Sequence, residues 1–200
     1  MEPPDPRPDP LVPGAAAGVL GGDGLAARLE RWAADARVDE AARVRSRERW
    51  LRRQAEESST LAGVLADLLE AARPVVVHTR SGRRHQGVVR ALGADFVAVG
   101  AAQGTVLVAL AAVASLRGAP GEGSVLGDRE VAGARVHLAD VAAGLAADRA
   151  RVLLVTTDGE ALAGVLSSVG RDVALLRGTG DPPTTCYVPL AAVCELVIDG

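Results

Sequence analysis

The spacing of apolar and polar positions changes several times along this chain, and each change predicts a different kind of element. Residues 1–23 carry six of the eleven prolines and show no periodicity, which is typical of a disordered tail. Residues 24–58 lack proline and are rich in Ala, Arg and Glu, which predicts a helix. Its apolar stripe is thin: Leu25, Leu29 and Trp32 are helically spaced, and few apolar residues follow them.

A second, shorter helix is predicted after the sequence Ser58-Ser59-Thr60, with Thr60 as its N-cap. Leu61, Val64, Leu65 and Leu68 occupy positions i, i+3, i+4 and i+7, the apolar face of a helix that we expect to continue to Arg73. Pro74 ends it, because proline disfavours helical geometry in the residue before it. Alternating apolar residues and turn signals then predict five strands, at residues 75–80, 83–92, 96–100, 105–110 and 113–117.

The same series occurs a second time, which makes the duplication the dominant feature of the sequence. The segment that begins Gly87-Val88-Val89 and reaches Asp95 returns 77 residues later, beginning Gly164-Val165-Leu166 and reaching Asp172. Leu138, Val141 and Leu145 repeat the apolar face of the second helix at the same offset. Three extra residues near Asp181-Pro182-Pro183 lengthen a turn in the second copy. Its five strands are predicted at residues 151–157, 161–169, 172–178, 184–189 and 193–198.

The repeated glycines and aspartates are interpreted as backbone residues. Gly82 and Gly159 are expected in hairpin turns, and Gly87 and Gly164 inside a strand that bends. Asp95 and Asp172 are expected to hydrogen-bond amides of their own turns rather than to act in catalysis.

A short amphipathic helix followed by five strands, with glycine inside the bent second strand, resembles the Sm-like small β-barrel. The resemblance implies an α+β, β-dominated fold, with an N-terminal helix and two tandem helix-capped five-stranded barrels. The expected domains are a Pro/Gly-rich tail, an Arg/Glu-rich helix, barrel one, a linker and barrel two, at residues 1–23, 24–58, 59–117, 118–130 and 131–200.

The resemblance says little about function, because small barrels host many activities. Sm and Hfq-type proteins bind RNA through a stacking residue after the third strand and a basic or Asn-containing motif near the last two strands. Here those turns read Gly100-Ala101-Ala102-Gln103-Gly104 and Leu110-Ala111-Ala112-Val113, without aromatic or basic residues. The layout also resembles uncharacterised proteins of high-GC bacteria with an Arg/Glu-rich helix. Some are labelled "Fis family regulator", although no helix-turn-helix is found here.

Composition narrows the function classes. All 22 basic residues are arginine, and the net charge of −3 argues against extensive coating by nucleic acid. Neither a signal peptide nor an apolar run long enough to span a membrane is found, so a cytoplasmic protein is expected. The three histidines and two cysteines lack metal-ligand spacing, and no catalytic constellation is found. We therefore expect no enzyme activity, cofactor, metal or small-molecule substrate.

Two basic clusters are the candidate contacts to a phosphate or a partner. One lies on the predicted N-terminal helix and the other on the first hairpin of copy one, whose counterpart in copy two is acidic. The candidate residues are Arg43, Arg45, Arg49, Arg52, Arg53, Arg80, Arg83, Arg84 and His85. Residues 60–117 carry six Arg and three acids, whereas residues 137–200 carry four Arg and eight acids. The hairpin could therefore bind an anion or an acidic barrel of another chain, or the two surfaces could have diverged without consequence.

Two functions remain open at this point. The first is a non-enzymatic scaffold or adaptor, in which tandem barrels pack as a pseudo-dimer and the Arg-rich helix recruits a protein partner or self-associates. The second is a nucleic-acid-binding regulator that uses the helix and the basic hairpin on phosphates.

Overall fold

The computed structural model describes residues 22–102, 104–118, 121, 123–125, 127–129 and 135–198. Most of the predicted tail therefore lies outside the described residues, as does part of the predicted linker. By contacts the chain divides into two compact units, one up to Trp50 and one from Leu51 onward.

The N-terminal helix, α1, spans Gly22–Glu57, two residues longer at its start than predicted. Nearly all of its described side chains are exposed, including Leu29, Trp32 and Trp50. Arg43 pairs with Glu40 at 3.6 Å, one helical turn away.

Helix α2 spans Leu61–Glu70, and its N-cap is the predicted Thr60, whose hydroxyl accepts a hydrogen bond from the Gly63 amide at 3.0 Å. The helix ends three residues before the predicted Arg73. Ala72 adopts a left-handed φ of +47°, which terminates helical hydrogen bonding before Pro74 is reached.

The predicted strands are confirmed to within one or two residues. The first five are β1 Pro74–Thr79, β2 Arg84–Leu92, β3 Phe96–Ala101, β4 Gly104–Ala109 and β5 Val113–Gly118. Helix α3 (Leu138–Ala147) precedes the second five, which are β6 Arg151–Thr156, β7 Ala161–Val169, β8 Val173–Arg177, β9 Thr185–Pro189 and β10 Val193–Ile198. A 3-10 turn precedes β5 and another precedes β10. We call α2 with β1–β5 the first set, and α3 with β6–β10 the second set.

All ten strands form one open antiparallel sheet in the order β5-β1-β2-β3-β4-β10-β6-β7-β8-β9. The fold is therefore α+β and dominated by β-structure, as predicted. The two sets are joined by β4 and β10, which pair from Thr105 with Ile198 to Val108 with Glu195. The strands left at the two ends are β5 and β9.

Gly87 and Gly164 allow two neighbouring strands to approach closely. A β-carbon on Gly87 would overlap the carbonyl oxygen of Gly100 on β3, and one on Gly164 would overlap that of Arg177 on β8. The pairing register shifts just after each glycine, which marks a bulge in β2 and in β7. Gly82 and Gly159 have positive φ values in the hairpin turns, as expected.

Candidate interface between the two strand sets

The boundary between the two sets is an extensive apolar contact, because β3 and β4 contribute to two cores. Along these strands Val97, Val99, Val106 and Val108 pack in the core of the first set. The alternate residues Phe96, Ala98 and Leu107 pack instead with α3 and strands of the second set. Side chains that alternate between two cores explain why both strands are apolar along most of their length.

A buried carboxylate lies at this boundary. Glu195 on β10 is 0% exposed, and four side chains of the β1–β2 hairpin of the first set contact its carboxylate. Its Oε1 accepts hydrogen bonds from Thr79 Oγ1 at 2.5 Å and Ser81 Oγ at 2.7 Å. Its Oε2 accepts one from His85 Nε2 at 2.8 Å and lies 3.1 Å from Arg83 Nε.

The pKa of Glu195 reflects two opposing effects. Burial raises the pKa, but hydrogen bonds from His85, Thr79 and Ser81 lower it by more than burial raises it. The pKa of Glu195 therefore falls to about 2. The carboxylate is therefore ionised across the physiological range. A buried charge with four partners holds the two sets in one relative position, since loss of a partner would leave the charge uncompensated.

A second polar contact crosses the same boundary. Asp95 Oδ1 accepts a hydrogen bond from the Leu138 amide at the start of α3, at 2.8 Å, and its Oδ2 lies 3.3 Å from His137 Nδ1. The prediction of a purely local partner for Asp95 is therefore wrong. Its partner is 43 residues away, because a carboxylate satisfies a free amide at a helix N-terminus. Asp172 forms no side-chain hydrogen bond with any described residue.

The predicted basic residues have different environments. Arg83 and His85 bind Glu195, so this part of the basic hairpin contacts the acidic second set of its own chain. Arg80 and Arg84, on the same hairpin, are exposed. The candidates on α1 (Arg43, Arg45, Arg49, Arg52 and Arg53) are exposed as well. Their role as phosphate or partner contacts remains a prediction.

Sequence reasoning missed Glu195. The signal that could have found it is a difference between the copies: Glu195 replaces Ser115 in the closing strand, while Arg83 and His85 occur in the hairpin of the other copy. A carboxylate in one copy and cations in the other indicate a contact between them.

Sequence reasoning also missed the residues that line a cavity of about 480 Å³ in the second set. Three arginines line it: Arg149, Arg151 and Arg177. Among the described residues, no cluster of three or more His, Cys, Asp or Glu could hold a metal ion. None of the helices within these ranges combines the length and the apolar character that a membrane span requires.

In comparisons with known proteins, no family model, no curated protein and no solved structure matches this chain.

Proposed function

We propose that the protein is a non-enzymatic scaffold that self-associates. In this proposal each strand set curls into an Sm-like barrel, the two barrels of a chain form a pseudo-dimer, and the pseudo-dimer binds further copies head to tail. The observation that carries the proposal is a cavity with aliphatic walls at β5, which corresponds to the site where Leu107 is buried inside the chain.

Inside the chain, strand β4 of the first set pairs with β10 of the second set. Leu107 of β4 lies opposite Leu196 of β10 and is 4% exposed. It belongs to the cluster that contains Val141, Leu145 and Leu196. In the sequence repeat, these three residues of the second set correspond to Val64, Leu68 and Leu116 of the first set.

Val64, Leu68, Leu116 and Val125 form the aliphatic walls of a cavity of about 390 Å³ beside the free edge strand β5, and Arg73, Ser124 and two glycines complete its lining. The residue that corresponds to Leu107 is Tyr187 on β9, the other free edge, and it is 70% exposed. An aromatic side chain at one end and a cavity with aliphatic walls at the other are complementary, so a second copy can fill the cavity. The contact joins two different surfaces, which allows copies to be added one after another.

Polar residues complement each other across the proposed contact as well. Inside the chain, Ser81 of the hairpin donates to Glu195 of the strand. The repeat places Asp158 at the position of Ser81 and Ser115 at that of Glu195. Carboxylate and hydroxyl have exchanged sides, so the hydrogen bond can form between copies without opposing two acidic groups. Exposed Asp172 likewise corresponds to Asp95, which binds the start of a helix.

Helix α1 supplies a second contact between copies. Trp32 and Trp50 are 72% and 61% exposed, and their separation of 18 residues places them on one helix face. Residues 22–40 carry five acids and three Arg, whereas residues 41–57 carry three acids and six Arg. Antiparallel pairing with a second α1 therefore matches acidic and basic halves. A register with Trp32 against Trp50 also places Asp39 against Arg43.

Sedimentation velocity over a range of protein concentrations tests the sheet-edge contact. Every sample carries Trp32→Ala and Trp50→Ala, so that α1 does not contribute. We expect masses above that of one chain, and at least tenfold weaker association for Tyr187→Glu, because the aromatic ring that fills the cavity is lost and a carboxylate loses its hydration beside Val64, Leu68 and Leu116. Tyr187→Phe is the matched control and should retain association. A monomer at every concentration, or equal association of Tyr187→Glu and Tyr187→Phe, would reject the proposal.

Nucleic-acid binding is the second candidate, favoured by the exposed guanidinium groups of Arg45, Arg52 and Arg53 on α1. Binding through phosphates should weaken steeply as salt is raised and should depend little on sequence. Titration of labelled single-stranded RNA and duplex DNA at low salt measures it. If neither binds at micromolar protein, this candidate is rejected.

A further inference from the structure

We infer that the arginine-lined cavity of the second set binds a phosphate-bearing small molecule of about nucleotide size. The cavity has a volume of about 480 Å³, within the range of ligand sites. Arg149 and Arg151 line it just before and at the start of β6, and Arg177 at the end of β8. None of its lining residues is among those that we propose to contact a second copy.

The charge of the cavity contrasts with that of its surroundings. Residues 137–200 carry eight acids and four arginines, yet three of those four arginines line this one cavity. Among the described residues, none of the three forms an ion pair. Guanidinium groups without a carboxylate partner can bind phosphate oxygens in pairs of hydrogen bonds.

The cavity is built from positions at which the two sequence copies differ. Arg149, Arg151 and Arg177 correspond to Ala72, Pro74 and Gly100 of the first set. In the first set the side chain of Arg90 lies against Gly100, and it would obstruct a β-carbon at that position. The residue that corresponds to Arg90 is Ser167, which lines the cavity with a short hydroxyl side chain.

The lengthened turn between β8 and β9 completes the wall. Pro183 belongs to the insertion that distinguishes the second copy, and it lines the cavity together with Val165. These two residues provide an apolar surface beside the guanidinium groups, which suits a base or another flat group attached to a phosphate. Three added cations, one shortened side chain and one insertion thus meet at a single place.

Isothermal titration calorimetry of the full-length protein with pyrophosphate and, separately, with AMP tests the inference. We expect both probes to bind at physiological salt, and Arg177→Gln to weaken each by about tenfold or more, since a charge-assisted pair of hydrogen bonds is lost. Tighter binding of AMP than of pyrophosphate would support a nucleotide-sized ligand, whereas equal or weaker binding of AMP would overturn that size and assign a bare phosphate group.

Arg171→Gln is the matched control, because Arg171 is the fourth arginine of the second set and does not line the cavity. It should leave both affinities unchanged. Absence of binding by the wild-type protein at millimolar probe, or an equal loss for Arg171→Gln and Arg177→Gln, would overturn the inference. Tyr187→Glu should bind both probes normally, so failure of self-association and failure of this site can be told apart.

Discussion

At the scale of single residues, the most consequential side chain is Glu195. It is the one fully buried acid among the described residues. Apart from the neighbouring Cys194 Sγ at 3.9 Å, its contacts all come from a hairpin more than 100 positions earlier in the chain. Such a carboxylate connects stability to pH, because its pKa of about 2 lies below the ordinary value of 4.5. Its stabilising contribution is complete above the unfolded-state pKa and is lost as the pH falls toward 2.

We expect Glu195→Gln to be less stable than the wild type at pH 6, and the difference to shrink by about 3 kcal/mol between pH 6 and pH 2. The wild type loses the contribution of the ionised carboxylate in acid, whereas the amide does not titrate. Urea unfolding at the two pH values measures the free energy of unfolding of each protein. A difference that does not change with pH would contradict this account of the buried charge.

Gly87 provides a steric prediction at the same scale. Gly87→Ala should lower the free energy of unfolding by about 1–3 kcal/mol, because the new β-carbon overlaps the Gly100 carbonyl. The control is Gly144→Ala, at an open position inside α3, which should raise stability by up to about 1 kcal/mol. Thermal unfolding of both variants provides the comparison. Equal effects would show that the close strand approach does not require glycine.

At the scale of elements, α1 differs from every other element in that its described side chains are nearly all exposed. A helix of this kind depends on charge pairs along its surface and on partners outside itself. Its two tryptophans are the only ones in the chain, so tryptophan fluorescence reports on α1 alone.

If α1 pairs with a second α1, tryptophan emission should shift to shorter wavelength as protein concentration rises, because both indole rings leave water. Asp39→Arg should abolish the shift by opposing Arg43 of the other copy, and Asp39→Arg combined with Arg43→Asp should restore it. The concentration series is recorded for the three proteins. A shift that Asp39→Arg leaves intact would rule out the proposed antiparallel register.

At the scale of the whole molecule, the open sheet has two ends that are not alike. At one end, β5 carries Ser115 and lies beside the cavity. At the other end, β9 carries the exposed Tyr187, and the acidic hairpin around Asp158 belongs to the same strand set as β9. Because the two ends differ, copies can be added head to tail. The hydroxyl of Ser115 and the carboxylate of Asp158 predict that a β5 end is compatible with a β9 end.

We expect Ser115→Glu to weaken head-to-tail association, because its carboxylate would meet Asp158 of the neighbouring copy. Adding Asp158→Ser and Glu160→Arg should restore association, since these changes reproduce Ser81 and Arg83 opposite Glu195. Light scattering of the variants in the Trp32→Ala and Trp50→Ala background measures the mass. If the triple variant remains as weakly associated as Ser115→Glu alone, the proposed register of the two edges is wrong.

The sequence by itself determined which residues form helices, strands and turns. Residue spacing, the Thr60 cap and the turn glycines act over a few positions, so the strand boundaries could be predicted to within one or two residues. Only the tertiary structure decided that Asp95 reaches α3, that Glu195 is buried against the first hairpin, and that three arginines meet at one cavity. The contacts of Asp95 and Glu195 join the two sets, and they exist only because β4 pairs with β10 and places the sets side by side. The cavity forms within the second set, where β6, β7 and β8 pair and bring together residues up to 34 positions apart.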